Sequence, residues 1–205
     1  MRKFKYFIDF EKEEKWLSDM AKQGYQLVNT SFGYKFRAVE PEETMIKVDY
    51  RKFKKQEDFI DYLTLFEDSG WKHVAGTKSS GTQYFKKMNK SHDDIFSDTI
   101  SKAGRYKRLS NMFIELAILY FPILIALITT DIIDINALVN PKHLYLTPGL
   151  WEMNGYSFWF SFLFETPFAL MRGFAWYFFP VLFLLYLVFG YKANKLYKDS
   201  MVNEL

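Results

Sequence analysis

Two apolar stretches dominate the second half of the chain: Met112 to Thr130 is MFIELAILYFPILIALITT, and Phe174 to Tyr191 is FAWYFFPVLFLLYLVFGY. At a rise of about 1.5 Å per residue, a helix of either length crosses a hydrocarbon core of roughly 30 Å. Aromatic residues make up 20% of the chain, and rings with a polar tip suit the headgroup region of a bilayer. The sequence therefore predicts two transmembrane helices, 112–130 and 174–191, joined as a hairpin.

The sequence before Met112 is charged and predicts a water-facing domain. Its first sixteen residues, MRKFKYFIDFEKEEKW, lack the apolar run of a secretory signal peptide. We therefore expect this half to stay in the cytoplasm, with Met112 onward acting as an internal signal anchor. The chain has no cysteine, which excludes disulfides, thiolate metal sites and cysteine nucleophiles.

The charged half carries one pattern twice, strand–helix–strand–strand, over about 3–39 and 45–88. In each copy, alternating or short apolar runs predict strands, apolar residues at helical spacing predict one helix, and a glycine closes that helix. The first copy is predicted to contain a helix at Glu11 to Gln23 and strands at Lys5 to Phe10, Tyr25 to Thr30 and Tyr34 to Val39. The second is predicted to contain a helix at Gln56 to Ser69 and strands at Met45 to Phe53, Trp71 to Ala75 and Thr82 to Lys87.

Sequence matches between the copies support a duplication. Ile8-Asp9-Phe10 corresponds to Val48-Asp49-Tyr50, and Gly24-Tyr25 corresponds to Gly70-Trp71. Two βαββ units in tandem predict an α+β domain over residues 1–90, with one antiparallel sheet and both helices packed on one face. Trp16, Tyr25, Trp71, Tyr84 and Phe85 are its expected core, and Gly33 and Gly81 its expected turn glycines.

Several of these motifs resemble the domain-of-unknown-function 2812 family. They are Trp16-Leu17 with Met20-Ala21 and Gly24-Tyr25, then Val48-Asp49-Tyr50, Leu65-Phe66-Glu67-Asp68-Ser69-Gly70-Trp71 and Tyr84-Phe85. The resemblance covers about residues 1–90. It implies a bacterial, mainly Gram-positive, protein whose domain is often followed by transmembrane helices and which is often encoded beside PadR-type transcriptional repressors. It implies no activity and no catalytic residues.

Basic residues flank both apolar stretches. Lys102, Arg105, Lys107 and Arg108 end a juxtamembrane linker, 91–111, and Lys192, Lys195 and Lys198 lie in a tail, 192–205. The connector, 131–173, contains only Lys142 and Arg172 as basic residues. Because flanking basic residues prefer the cytoplasmic side, we predict both termini inside and the connector outside. The family resemblance implies that this membrane is the bacterial inner membrane. The basic cluster is also expected to attract anionic lipid headgroups.

The connector contains a further apolar segment, Tyr156 to Leu170, and three interpretations of it are open. It is an interfacial helix, a re-entrant segment, or a third span that turns at Met171 to Gly173. A third span would place the tail lysines outside and Glu165 inside the bilayer, so an interfacial or re-entrant helix at about 156–170 is preferred.

The candidate functional residues are few. The connector carries the ligand-capable side chains Asp131, Asp134, His143, Glu152 and Glu165, and Glu115 lies one turn into the first apolar stretch. A metal site in the connector competes with a simple solvated loop. Because no pair of histidines and no ligand spacing is recognisable, we predict no metal and no cofactor. Glu115, Glu152, Glu165 and His143 remain candidates for an unspecified function, and Glu115 for the intramembrane role that such acids often have.

The charged half offers weaker candidates. Asp9 and Asp49, matched across the repeat, are conceivable as an acid–base pair but fit structural positions better. His73 and His92 are isolated. The basic run Arg51 to Lys55 is better explained as a solvated strand end than as a nucleic-acid surface, because acids are interspersed through the domain.

These observations predict a non-enzymatic regulatory, sensing or partner-binding membrane protein. Its expected partners are the lipid bilayer and either another protein or further copies of itself, with no nucleic acid. The alternative is a subunit of an oligomeric or partner-dependent transport or channel complex, for which Pro122 and Pro180 would kink helices around a cavity. An enzyme acting on lipid or envelope material at the outer leaflet is disfavoured, because no nucleophile–base pair is recognisable.

Overall fold

The computed structural model describes residues 1–88 and 94–202. It divides the chain into two compact units, one formed by Met1–Asn111 with Phe189–Leu205 and the other by Met112–Val188. The first unit contains an α+β domain followed by helix, and the second consists of helices. The predicted α+β class is confirmed.

The first βαββ copy contains β1 (Arg2–Lys3), α1 (Phe10–Lys22), β2 (Tyr25–Asn29) and β3 (Tyr34–Ala38). Its three strands form an antiparallel sheet in the order β1-β3-β2. The predicted strand at Lys5 to Phe10 is wrong. Asp9 is the N-cap of α1, where its side chain accepts hydrogen bonds from the backbone N–H groups of Glu11 and Lys12, so the chain enters the helix at Phe10.

The second copy contains β4 (Ile46–Tyr50), α2 (Gln56–Asp68), β5 (Trp71–Ala75) and β6 (Thr82–Lys87). Its antiparallel sheet has the order β4-β6-β5, so both copies place their last strand between the other two. This shared order supports the duplication. The expectation of one sheet is corrected: the strands form two three-stranded sheets.

Two glycines end the helices as the sequence predicts. Gly24 and Gly70 follow α1 and α2 with φ of +81° and +84°, a left-handed conformation that glycine adopts without a steric penalty. Each donates its backbone N–H to a carbonyl of the last helical turn, that of Ala21 or Glu67, at 3.0 Å.

The interior of the domain is aromatic. Helix α1 packs on β2 and β4, one strand from each sheet, and α2 packs on β5. One cluster of buried side chains comprises Phe59, Tyr62, Phe66, Trp71 and Phe85. Of the expected core residues, Trp71, Tyr84 and Phe85 are buried, whereas Trp16 and Tyr25 remain partly exposed.

The predicted linker 91–111 is largely helical. Helix α3 runs from Thr99 to Thr129, so residues 99–111 belong to the same helix as the first apolar stretch. The charged residues within 102–108 are compatible with either a helix or an irregular linker. In the structure they are helical, and Arg105 and Arg108 bind acidic side chains of the α+β domain. His92 and the first residues of the predicted linker lie outside the described residues.

The connector begins with three short helical segments: α4 (Ile135–Val139) and two 3₁₀ helices, Pro141–Leu144 and Leu150–Glu152. Helix α5 then runs without interruption from Gly155 to Val202. The predicted connector helix and second apolar stretch are therefore parts of one helix, and the turn at Met171 to Gly173 that the third-span alternative requires is absent. Gly173 is tolerated inside this helix and packs against Leu144, where an added Cβ would come within 3.0 Å of its side chain.

Helices α3 and α5 are both long and apolar enough to cross a membrane, judged by length and composition. Only 17% and 11% of their most apolar windows are buried within the protein. Helices that serve as the core of a soluble protein are mostly buried, so this exposure favours contact with lipid or with other chains.

Candidate functional site

Helix α1 directs two adjacent acidic side chains into the α+β domain. Glu13 and Glu14 are only 2% and 7% exposed. Because buried carboxylates require partners, the groups around Glu13 and Glu14 form the candidate polar site of the first unit.

Glu13 joins the two copies of the repeat. Its Oε1 accepts hydrogen bonds from the hydroxyls of Tyr34, at 2.6 Å, and Tyr84, at 2.7 Å. Tyr34 lies on β3 of the first copy and Tyr84 on β6 of the second. Burial raises the pKa of the Glu13 carboxyl above its usual range, although the two tyrosine hydroxyls and Arg105 oppose the shift.

The raised pKa of Glu13 predicts a pH dependence of stability. A carboxyl whose pKa is raised by folding stabilises the fold fully below its unfolded pKa, and this contribution is lost as pH rises through the folded pKa. We therefore expect the free energy of unfolding of the wild type, relative to Glu13→Gln, to fall as pH rises from about 4 to 8. Urea titrations in detergent over this range measure the difference. The control Glu57→Gln, at an exposed position of α2, is expected to show no trend, and a pH-independent difference for Glu13→Gln would contradict the prediction.

Glu14 binds an arginine that arrives from α3. Its Oε1 accepts from Arg105 Nη1 and, at 3.1 Å, from the backbone N–H of Val48. Arg105 is 0% exposed and also donates to the carbonyl of Val48 at 2.7 Å. Three aromatic rings surround the guanidinium at 5.2–5.3 Å: those of Phe10, Phe96 and Tyr106. Glu14 Oε2 also lies 3.4 Å from Lys47 Nζ, whereas Arg105 Nε and Nη2 are buried and have no hydrogen-bond partner among the described residues.

Asp49 binds a second arginine of the same helix. The Asp49 Oδ1 atom lies 2.6 Å from Arg108 Nη2, and its Oδ2 accepts from the Tyr62 hydroxyl at 2.9 Å. Asp49 is only 2% exposed. Helix α3 therefore binds one carboxylate from each copy, Glu14 from the first and Asp49 from the second.

Asp9 and Asp49 are engaged separately. Asp9 caps α1, forms a 3.2 Å ion pair with Lys12 and accepts from the Tyr106 hydroxyl at 3.3 Å. Each aspartate thus has structural partners of its own. Both therefore fit the structural interpretation better than the acid–base pair. His73 lies against Gln83, with its Nε2 3.0 Å from Gln83 Oε1, and burial lowers its pKa.

The candidates of the helical unit occupy different surroundings. Glu115 is exposed on α3, and Glu152 is exposed in the second 3₁₀ helix. His143 Nδ1 lies 3.6 Å from Asp134 Oδ2, and Asp134 also caps α4 through the backbone N–H of Asn136. Over residues 1–88 and 94–202, no group of three or more His, Asp or Glu side chains is placed to hold a metal ion.

Among the candidates in this unit, Glu165 is the one whose carboxylate is held by several hydrogen-bond partners. It is 6% exposed and accepts from the backbone N–H groups of Leu146 and, at 2.8 Å, Thr147. Arg172 Nη2 lies 2.7 Å from Glu165 Oε1, and the same guanidinium donates to the carbonyl of Leu144 at 2.6 and 2.9 Å. Together these two side chains of α5 fix residues 144–147 of the connector against the helix.

Sequence reasoning missed the partners of these acids. Arg105 and Arg108 were interpreted as flanking charges, although their i,i+3 spacing places them on one side of a helix. Arg172 follows Glu165 by seven residues, about two helical turns, which also predicts a shared side. Glu13 and Glu14 gave no such signal, because a run of alternating acids and lysines is typical of a solvated helix.

The comparison with known families gives one result. A family described as a protein of unknown function, DUF2812, matches residues 9–118. The matched segment includes both buried acids of α1 and both arginines of α3, and it ends inside the first apolar stretch. No curated protein and no solved structure matches the chain.

Proposed function

Because the chain belongs to the DUF2812 family, whose function is unknown, we propose its role from its own structure: a non-enzymatic regulatory or sensing module of the bacterial inner membrane. In this proposal the α+β domain is cytoplasmic and binds a protein or ligand. Helices α3 and α5 lie in the membrane and are mechanically linked to that domain.

The observation that carries the proposal is the double role of α3. Its first turns supply Arg105 and Arg108, which bind a buried carboxylate from each copy of the repeat. The same helix continues without a break into an apolar stretch long enough to span a bilayer. A flexible tether would only localise the domain, whereas a helix that completes its polar interior can transmit displacement or rotation to it.

The end of α5 belongs to the same unit and adds a second link. The Ser110 hydroxyl of α3 donates to the carbonyl of Gly190 at 2.9 Å, and both groups are buried. Lys107 lies 5.5 Å from the centre of the Tyr197 ring. Tyr6, ahead of α1, packs on Phe189 with ring centres 5.4 Å apart. Both long helices therefore contact the domain at several points.

The acids that were the best candidates for acid–base chemistry support a non-enzymatic role. Asp49 is engaged by an arginine and a tyrosine, and Asp9 by a helix terminus and a lysine. Such contacts hold each carboxylate in place as a structural group.

The topology is tested by single cysteines, which the absence of native cysteine makes straightforward. Cysteine at exposed Lys54 or Lys198 is expected to react with a membrane-impermeant maleimide only after cell lysis. Cysteine at exposed Glu152 is expected to react in intact cells whose outer barriers admit the reagent. Labelling of Lys198→Cys and Glu152→Cys from the same side of the membrane would overturn the proposed arrangement of the termini and connector.

The coupling is tested in nanodiscs of short-chain and long-chain phosphatidylcholine. We expect the amide exchange of β4, which contacts both arginines, to differ between the two bilayers in the wild type. A flexible Gly-Ser insertion between Ser110 and Asn111 should abolish this difference. An insertion of seven alanines, about two turns that preserve the helix and nearly its phase, should retain it. Identical amide exchange of β4 in both bilayers for the wild type would contradict the sensing role.

A further inference from the structure

One groove of the first unit combines lysines with apolar and aromatic side chains. It has a volume of about 590 Å³ and lies between the segment before α1 and the end of α5. Its apolar part includes Ile8, Phe189 and Leu196. This volume falls within the range of about 300–1,000 Å³ that is usual for ligand sites in proteins.

The charges of the groove are unevenly satisfied. Its five charged lining residues are Lys12, Lys192, Lys195, Asp9 and Asp199. Lys12 and Asp9 neutralise each other at 3.2 Å. Within the part of the chain that the structure describes, Lys192 and Lys195 form no ion pair, and both are exposed. Two lysines facing one remaining carboxylate, Asp199, leave the groove with an excess of positive charge.

We propose that this groove binds the headgroup of an anionic phospholipid. The two lysines suit the phosphate, since ammonium groups attract anionic headgroups at a membrane surface. The apolar part suits the first methylene groups of the acyl chains. A soluble phosphate compound would use only the lysines, so the apolar floor favours the lipid. The groove lies at the end of the apolar stretch of α5, where Phe189 is followed within three residues by Lys192. This order of an apolar and then a charged side chain matches the order of acyl chain and headgroup at the bilayer surface.

This inference rests on the proposed membrane location, and it goes beyond general attraction to a charged surface. General attraction depends on the number of lysines, whereas a site depends on which lysines are present. Lys52 and Lys54 provide the matched comparison, because they are two exposed lysines of the same unit that do not line the groove.

The test measures retention of dioleoyl-phosphatidylglycerol by the full chain in nonionic detergent, using native mass spectrometry. Lys192→Ala/Lys195→Ala is expected to lower its affinity by roughly thirtyfold, the order expected for two lysine contacts with an anionic headgroup. Lys52→Ala/Lys54→Ala and Lys192→Arg/Lys195→Arg are expected to retain it. Dioleoyl-phosphatidylcholine is expected to bind no better to the wild type than to the alanine variant.

Three outcomes would overturn the proposal. The first is equal affinity of the wild type and the groove variant for phosphatidylglycerol, and the second is an equal loss in the Lys52/Lys54 variant. The third is competition by free glycerol phosphate at the affinity of the lipid, which would assign the groove to a soluble phosphate compound. Membrane fractionation separates these failures from failure of the proposed function: a groove variant that still needs detergent for extraction leaves the membrane role intact.

Discussion

Replacing Arg105 by alanine is expected to destabilise the α+β domain toward the lower end of about 3–5 kcal/mol, the cost of breaking a buried ion pair, because Glu14 keeps a 3.4 Å contact with Lys47. Glu14 would lose its strongest contact while remaining almost inaccessible to water. The three rings around the guanidinium would also lose their cation–π partner. Because 3–5 kcal/mol is a large share of the stability of a small domain, much of the protein should unfold under mild conditions.

Urea unfolding of the full chain in detergent, followed by near-ultraviolet circular dichroism, measures this effect. Lys15→Ala serves as the control, because Lys15 is an exposed basic residue of the same domain. The double variant Arg105→Met/Glu14→Gln removes both charges, and we expect it to recover part of the loss, since a buried ion pair can often be replaced by uncharged groups. A change below about 1 kcal/mol for Arg105→Ala would show that the pair contributes little.

The second large effect is expected in the helical unit, where Glu165→Ala should release residues 144–147 from α5. The substitution leaves the backbone N–H groups of Leu146 and Thr147 without their acceptor and Arg172 without its carboxylate. A hydrogen bond to a charged acceptor contributes about 1.5–3 kcal/mol to stability. Hydrogen exchange of the Leu146 and Thr147 amides is therefore expected to accelerate by roughly tenfold to a hundredfold.

Glu152→Ala is the matched control for this experiment, because Glu152 is an exposed acid of the same connector. It should leave the two amides unchanged. Arg172→Ala should produce a smaller acceleration, since the carboxylate still accepts from both amides. Unchanged exchange in Glu165→Ala would mean that other contacts hold this segment in place.

Most of the secondary structure of the α+β domain is predictable from its sequence, for local reasons. The strands Trp71–Ala75 and Thr82–Lys87 are found at the predicted bounds, and α2 ends one residue early. Apolar alternation, helical spacing and closing glycines are all encoded within a few residues. The predicted first strand is wrong because Asp9, a preferred N-cap residue that is depleted in strands, caps α1 instead of continuing the alternation of Lys5 to Phe10.

The polar interior was not predictable, because its contacts join distant positions. Glu14 and Arg105 are ninety-one residues apart, and Asp49 and Arg108 are fifty-nine apart. A basic residue before an apolar stretch fits equally well a membrane-flanking charge and a buried partner, so local patterning could not distinguish them. The same limit applies to Glu165, whose amide partners lie in an irregular segment without a recognisable motif.

The arginines of α3 also impose an order on biosynthesis. Glu14 and Asp49 are translated well before Arg105 and Arg108, so both βαββ copies leave the ribosome before the arginines that bind these acids. Domains generally fold as units during synthesis, and this one becomes complete only when the start of α3 has emerged. The next residues to emerge are those of the first apolar stretch. In the proposed membrane location, completion of the domain and delivery of that stretch to the membrane are therefore expected to occur within a few seconds of each other at about 5–20 residues per second.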